Sequence, residues 1–538
     1  MRTTVRFLFP LILCTMAFAQ FPPQLKNVIV ILQENRTPDN LFHFLTPACP
    51  IPLGATGYNA CLPRPVTNRC YDISPCGLSN QTGTPLPITL TGLPMVGVLD
   101  PFHHHTAFEE QCDMDPTTLQ CLNDGAWHTA PNNEAYTYVL NPAVTNYDGS
   151  SGHLLDPYLT FAKEYGWANF MYQTNQGASY PAHLFLFAGT SALSDTDDAN
   201  SIFVSENFGS ASAAGCLTQD LTPKTRAWNK LIGPADPSVT GCFVFDNNSV
   251  QECPLYNALG SNNIGTFCTT PSNIANTVLE PNSISWKYYS GSAPGSLWTG
   301  PNGILSICTP EMNMKGFLEC TGTEWTTHMD LLDHGTGILH DITNCALPQV
   351  SWVTPDGAWA DHQGLQPAFF PYGPSWITAI VNAIGTNPTC PAGTPDVGQT
   401  FWQNTVILVT WDDWGGFSDN QPPYLLGGLP CVFTTPPTPC PGDYQFGFRV
   451  PLLVVSAYTP RGVIDNHIND FGSILRMIEG INHLPEGMMG NADARAKSDL
   501  SAFFTVKQPP RLYHTVPAMK DANFFLTYNQ PELAPDDD

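Results

Sequence analysis

Apolar residues fall along this chain in short unbroken runs. Residues 28–32 (VIVIL), 405–410 (TVILVT) and 450–456 (VPLLVVS) are rich in β-branched side chains. Runs of that length and branching predict strands buried on both faces. Residues 284–289 and 349–354 predict two more, and ANFMYQTN after Gly166 and Trp167 reads as strand-like. Helical signals lie between them. LTFAKEYG is helix-like, Pro181 suits a first helical position with Gly189 at the end, and residues 471–481 form a helix with Asp470 as its cap. Alternation of strands and helices predicts an α/β fold, a mostly parallel central sheet with helices on both faces.

Two of these strands end in oxygen-bearing side chains. The first stops at Gln33 and is followed by Glu34 and Asn35, after which Pro38 and Asp39 open a turn or helix start. The run at 405–410 leads into Trp411-Asp412-Asp413-Trp414-Gly415-Gly416. In open α/β sheets ligands bind beyond the carboxyl ends of strands. Parallel strands align those ends on one edge, so the two doublets can meet there. The plainer reading of Glu34-Asn35 alone is a strand stop with a capping Asn.

Composition narrows the partners. The chain has 538 residues, a formal net charge of −26 and only 20 Lys and Arg. Such a surface repels nucleic acid and anionic membranes, and a phosphate site on it requires a local cation. Pro (51) and Gly (43) are plentiful beside 11% aromatics, which predicts long ordered loops on a globular body. Residues 1–19 read as a secretory signal, with Arg2 and Arg6 before an apolar run and Ala17-Phe18-Ala19 at the cleavage site. Leu11 to Cys14 resembles a lipoprotein box but has bulky Leu13, so lipid anchoring ranks second. No later run is long enough to span a bilayer. Removing Cys14 leaves an even number of the 17 cysteines, which argues for disulfides in an exported protein. Cys112/Cys121, Cys308/Cys320 and Cys431/Cys440 are the expected local staples.

The boundaries follow: signal 1–19, one catalytic domain 20–505 with loop or cap inserts near 46–100 and 206–282, and a loose polar tail 506–538. Ser179 precedes a helix start, where unpaired N–H groups favour an anion and where a serine is most often only a cap. His103, His104 and His105 are adjacent, so at most one or two can serve a single site. Glu34, Asn35, Asp412 and Asp413, if convergent, supply three carboxylates and an amide. Those hard oxygen donors suit one divalent ion, Ca²⁺, Mg²⁺ or Mn²⁺. Ser179 near that ion could attack phosphorus, with His103, His105 or His362 holding phosphoryl oxygens or protonating the leaving group.

These motifs together resemble a family of bacterial phosphoesterases that includes secreted phospholipases C and an acid phosphatase, relatives of the alkaline phosphatase superfamily. The resemblance runs through QENRTPDNLF, Asp100-Pro-Phe-His103, Gly177-Ala-Ser179-Tyr-Pro181, LPQVSWV, Asp361-His362, Thr410 to Gly416 and Phe448-Arg-Val-Pro451, in family order from about residue 26 to 485. It implies an alkaline-phosphatase-like fold, with Glu34, Asn35, Asp412 and Asp413 as metal ligands. Ser179 would be a nucleophile that also touches the metal, and His103 and His362 substrate-side histidines. His105 and His183 are the further substrate-binding candidates, His105 replacing His103 if the register slips by two. Two departures stand out. Relatives carry Pro-Asn-Arg where this chain has Pro181-Ala182-His183, and Asp-His at the pocket rim where it has Asp419-Asn420. The expectation is a secreted hydrolase of phosphate esters acting through a phosphoserine, on phospholipids as a phospholipase C or else on monoesters as an acid phosphatase. The rivals are a non-catalytic secreted binding protein and a sulfatase-like esterase.

Overall fold

A computed structural model describes residues 21–533 apart from single positions and short stretches, chiefly 116–120, 218–224, 229–252, 255–269, 271–274, 365–369, 425–429, 432–437 and 440–443. The expected signal and most of the 206–282 insert lie outside the described residues.

The core is an eight-stranded sheet built from β1 (Asn27–Gln33), β2 (Gly166–Ala168), β3 (Trp286–Tyr289), β4 (Met329–Asp330), β5 (Val350–Val353), β6 (Thr405–Trp411), β7 (Leu452–Ser456) and β8 (Val463–Asp465). Their order across the sheet is β4-β3-β5-β1-β6-β7-β2-β8. All neighbours pair in parallel except around β7, which runs against both β6 and β2. Every residue of β1 and β6 is buried, as their unbroken apolar runs require.

Helices cover both faces. They are α1 (Asp156–Glu164), α2 (Ser179–Ala188), α3 (Gly373–Thr386) and α4 (Phe471–Ile481). Register separates the faces: Trp352 pairs with Val30, whereas Trp411 pairs with Gln33, three residues on and therefore pointing the other way. Trp352 donates its indole N–H to the Leu186 carbonyl of α2, 3.0 Å away. Trp411 instead packs edge-on to Tyr158 of α1. Helix α4 joins α2 on its face, and α3 packs on α1 and β6. The sequence reading did not anticipate α3, whose Trp376, Ile377, Ile380, Val381 and Ile384 form a buried stripe at helical spacing.

The expected pairs Cys112–Cys121 and Cys308–Cys320 are bonded, while Cys431/Cys440 falls outside the described residues. Cys49–Cys70 and Cys61–Cys76 pin the first insert, and Cys345–Cys390 closes a longer loop. Residues 507–533 are not the loose tail expected of them. Val516, Ala518 and Phe525 are buried, Arg511 donates to the Glu164 and Thr459 carbonyls, and Phe525 packs on Trp359 and Trp376. Their polarity hid a few apolar anchors that dock on α3. Among the described residues, no helix is long and apolar enough to cross a membrane.

Candidate metal and nucleophile site

The sheet brings the two acidic doublets together. Gln33 of β1 lies opposite Trp411 of β6, and the Asp412 N–H donates to the Gln33 carbonyl at 2.9 Å. Glu34 and Asp412 therefore leave neighbouring parallel strands at one level. Asn35 then takes a left-handed backbone (φ 58), which an asparagine tolerates well. Its N–H donates to Asp412 Oδ1 at 3.0 Å, and the Arg36 N–H donates to the Asp413 carbonyl at 3.0 Å. Gly415 (φ 61) turns the second loop back and donates its N–H to Asp413 Oδ1 at 2.7 Å. A Cβ there would lie 2.5 Å from the Asn35 carbonyl oxygen, so only glycine fits.

Helix α2 points its start at this edge. Ser179 is its first residue rather than the one before it, Ala178 holds the cap position, and Pro181 is the third residue. The Ser179 hydroxyl thus lies inside the helix, one residue past the cap position. It donates to Asp413 Oδ2 at 3.2 Å. One turn further along, His183 Nε2 lies 3.1 Å from Glu34 Oε1 and 3.9 Å from Asp412 Oδ2. Sequence reasoning placed His183 with the substrate. The structure places it among the carboxylates, and the i, i+4 spacing from Ser179 was the available signal.

The other histidines separate. His103 faces Asn35, with Nε2 3.0 Å from Asn35 Nδ2 and Nδ1 2.9 Å from the Pro101 carbonyl. That carbonyl only accepts, so Nδ1 carries the proton and Nε2 accepts from the Asn35 amide. Asn35 Oδ1 is left without a donor. His362 lies beside His103, with ring centroids 5.8 Å apart, and its Nδ1 contacts the Gln363 carbonyl. His105 is held by the Gln176 carbonyl and lies 3.3 Å from Glu109. His104 caps the helix His105–Cys112 by accepting from the Ala107 N–H.

The cluster is buried and acidic. Glu34, Asn35, Asp412, Asp413, Ser179 and His183 are all buried. Burial, then repulsion from Asp412, pushes the Glu34 and Asp413 carboxyls well above their ordinary range. Burial lowers His183 to about 4, so its ring is neutral. Glu34 Oε2, Asn35 Oδ1 and Asp412 Oδ2 are buried and find no hydrogen-bond partner among the described residues. Unpaired buried oxygens cost free energy, and a cation is what such a set lacks. The donors fit one divalent ion.

A second buried cluster ties the two loops together. Arg449 donates to Asp419 Oδ1 at 2.6 Å and to Asn420 Oδ1 at 2.6 Å, and lies 3.3 Å from Asp72 and 3.7 Å from Asp39. Asp39 follows Glu34-Asn35 in the chain and accepts from the Asn420 N–H at 2.8 Å. Thr37 donates to the Ser418 carbonyl. Asn420, expected near a pocket rim, is instead buried in this knot.

The sequence profile of the Phosphoesterase family matches residues 25–485. The chain belongs to that family. Relatives include phospholipase C B of Mycobacterium tuberculosis, 29% identical over 244 residues that cover 43% of each chain. The non-hemolytic phospholipase C of Burkholderia pseudomallei is 32% identical over 230 residues, covering 37% of this chain and 30% of that one. The matched stretch therefore spans less than half the length of these relatives. A solved structure described as a protein in the alkaline phosphatase superfamily, from Vibrio parahaemolyticus, aligns over 62% of each chain at 10% identity with a TM-score of 0.29.

Proposed function

We propose that this chain is an exported phosphoesterase that hydrolyses its substrate through a phosphoserine at Ser179. The observation that carries this reading is the Ser179 hydroxyl, 3.2 Å from Asp413 at the edge of three buried carboxylates and not used as a helix cap. A divalent ion held by Glu34, Asn35, Asp412 and Asp413, with Ser179 beside it, would supply positive charge to the attacking and transferring oxygens.

The protein's own groups do the rest. Ser179 Oγ bonds to phosphorus as its proton passes to Asp413 Oδ2, the group to which it already donates. The bond from phosphorus to the leaving alcohol breaks, and His362, next to His103, protonates the departing oxygen. Asn35, fixed by His103, keeps its carbonyl oxygen free for the cation. Water then cleaves the phosphoserine ester and regenerates Ser179.

The phospholipase C relatives favour a phosphodiester of a lipid as substrate, and Phe102, next to His103, offers an apolar surface that is 55% exposed. The test compares diglyceride release from phosphatidylcholine with hydrolysis of a soluble aryl phosphate. Diglyceride release supports the diesterase reading. Turnover of the monoester alone makes the protein a phosphatase, and turnover of neither removes the enzyme assignment.

A further inference from the structure

His183 presents a proton-counting problem that the all-oxygen ligand set does not answer. Its ring is fully buried, with Nδ1 3.5 Å from the Tyr288 hydroxyl oxygen and Nε2 facing the carboxylates. Tyr288 has one hydroxyl hydrogen, and its 2.8 Å bond to the Trp298 carbonyl uses it. Towards His183, Tyr288 therefore offers only lone pairs. The single proton of a neutral imidazole belongs on Nδ1, and Nε2 is left with a lone pair.

That lone pair faces two carboxylates. One ligand atom from each of Glu34, His183 and Asp412 can be chosen so that all three lie within 4.8 Å of one another. Glu34 Oε2 and Asp412 Oδ2, both buried, find no hydrogen-bond partner among the described residues. Electron pairs converging in a buried space repel unless a proton or a cation lies between them, and a divalent cation can meet all three groups at once.

We propose that His183 Nε2 is a metal ligand, so that the centre is a mixed nitrogen–oxygen site that selects Zn²⁺ or Co²⁺ over Ca²⁺ and Mg²⁺. This rests on the metal-dependent reading above and adds a nitrogen ligand to it. Imidazole suits zinc and cobalt, whereas calcium and magnesium take oxygen donors. Place in the fold explains how the ligand arises: α2 starts at Ser179, and one helical turn sets His183 on the same face, deeper against β1.

The test uses the full chain stripped of metal by a chelator. Calorimetric titration with Zn²⁺, Co²⁺, Ca²⁺ and Mg²⁺ is run on wild type and on His183→Gln. X-ray absorption at the zinc edge is recorded on the loaded proteins. The expected result is Zn²⁺ binding at least 100-fold tighter than Ca²⁺, an imidazole scattering signature, and a gap at least tenfold smaller in His183→Gln with the signature lost. Should that variant fail to fold, the same titrations and spectra are recorded on His183→Asn. A wild type that prefers Ca²⁺, or a zinc spectrum without imidazole, overturns the His183 assignment and leaves the metal-dependent reading standing. Signature and selectivity unchanged in His183→Gln also overturn it, because another histidine is then the ligand. No binding of any divalent ion sinks both.

Discussion

Glu34 and Asp412 sit side by side because Gln33 and Trp411, the residues before them, are register partners on adjacent parallel strands. Nothing else in the chain needs to move to bring the doublets together. The metal-free protein consequently holds like charges in contact, and Asp412→Asn should relieve that repulsion. We expect the chelator-treated variant to melt higher than chelator-treated wild type by a few degrees, on the order of 1 kcal/mol. A divalent ion should raise the melting temperature of wild type, and the variant should lose that rise. Thermal melts with chelator and with added metal check both.

Ser179 lies inside α2 and not at its cap position, so removal of its hydroxyl should leave stability almost untouched. Loss of a true serine cap costs about 1 kcal/mol. Ser179→Ala should fall well short of that in denaturant unfolding while turnover drops by roughly 10³-fold or more. Ser179→Thr, which keeps a hydroxyl, should keep measurable turnover. An alanine variant with unchanged kcat would remove the nucleophile assignment.

Arg449 neutralises a knot of buried aspartates that joins the loop after Glu34-Asn35 to the loop after Asp412-Asp413. Those partners raise its pKa against the lowering effect of burial. Arg449→Met should cost on the order of 3–5 kcal/mol, because the carboxylates lose their counter-charge. Arg449→Lys should recover only part of this, since one ammonium cannot reproduce the bonds to Asp419 and Asn420. Chemical denaturation measures both, and equal stability of the lysine variant would show that charge alone matters.

Asp470, at the start of α4, gives a pH dependence away from the Glu34 and Asp412 cluster. Burial raises its carboxyl to about 6, against bonds from Thr174 and Ser473 that favour ionisation. The folded chain thus holds this proton more tightly than the unfolded chain does. That contribution is full below the ordinary pKa of 3.8 and is lost as pH rises through about 6. Asp470→Asn, which keeps a capping oxygen, should flatten the stability profile between those values and match or exceed wild type above pH 6. A variant profile parallel to wild type would contradict the assignment.

The strands were legible because each is an unbroken buried run, and both doublets were legible because they follow such runs directly. Register was not, and register is what sets Glu34 beside Asp412. His103 and His105 looked interchangeable, since neighbouring residues carry the same chemistry and only the fold decides which one meets Asn35. The start of α2 was read two residues late because Pro181 fits an early helical position as well as a first one. That shift concealed the turn that carries His183 to Glu34. The Arg449 knot joins four distant segments, and no local pattern announces contacts of that separation.

The most direct measurement is an acid quench of the working enzyme, followed by peptide mapping and metal analysis. The account predicts phosphate on the peptide that carries Ser179, one divalent ion per chain, and loss of both phosphopeptide and turnover after chelation. Turnover that persists in chelator, or proceeds with no phosphate ever trapped on Ser179, would contradict it.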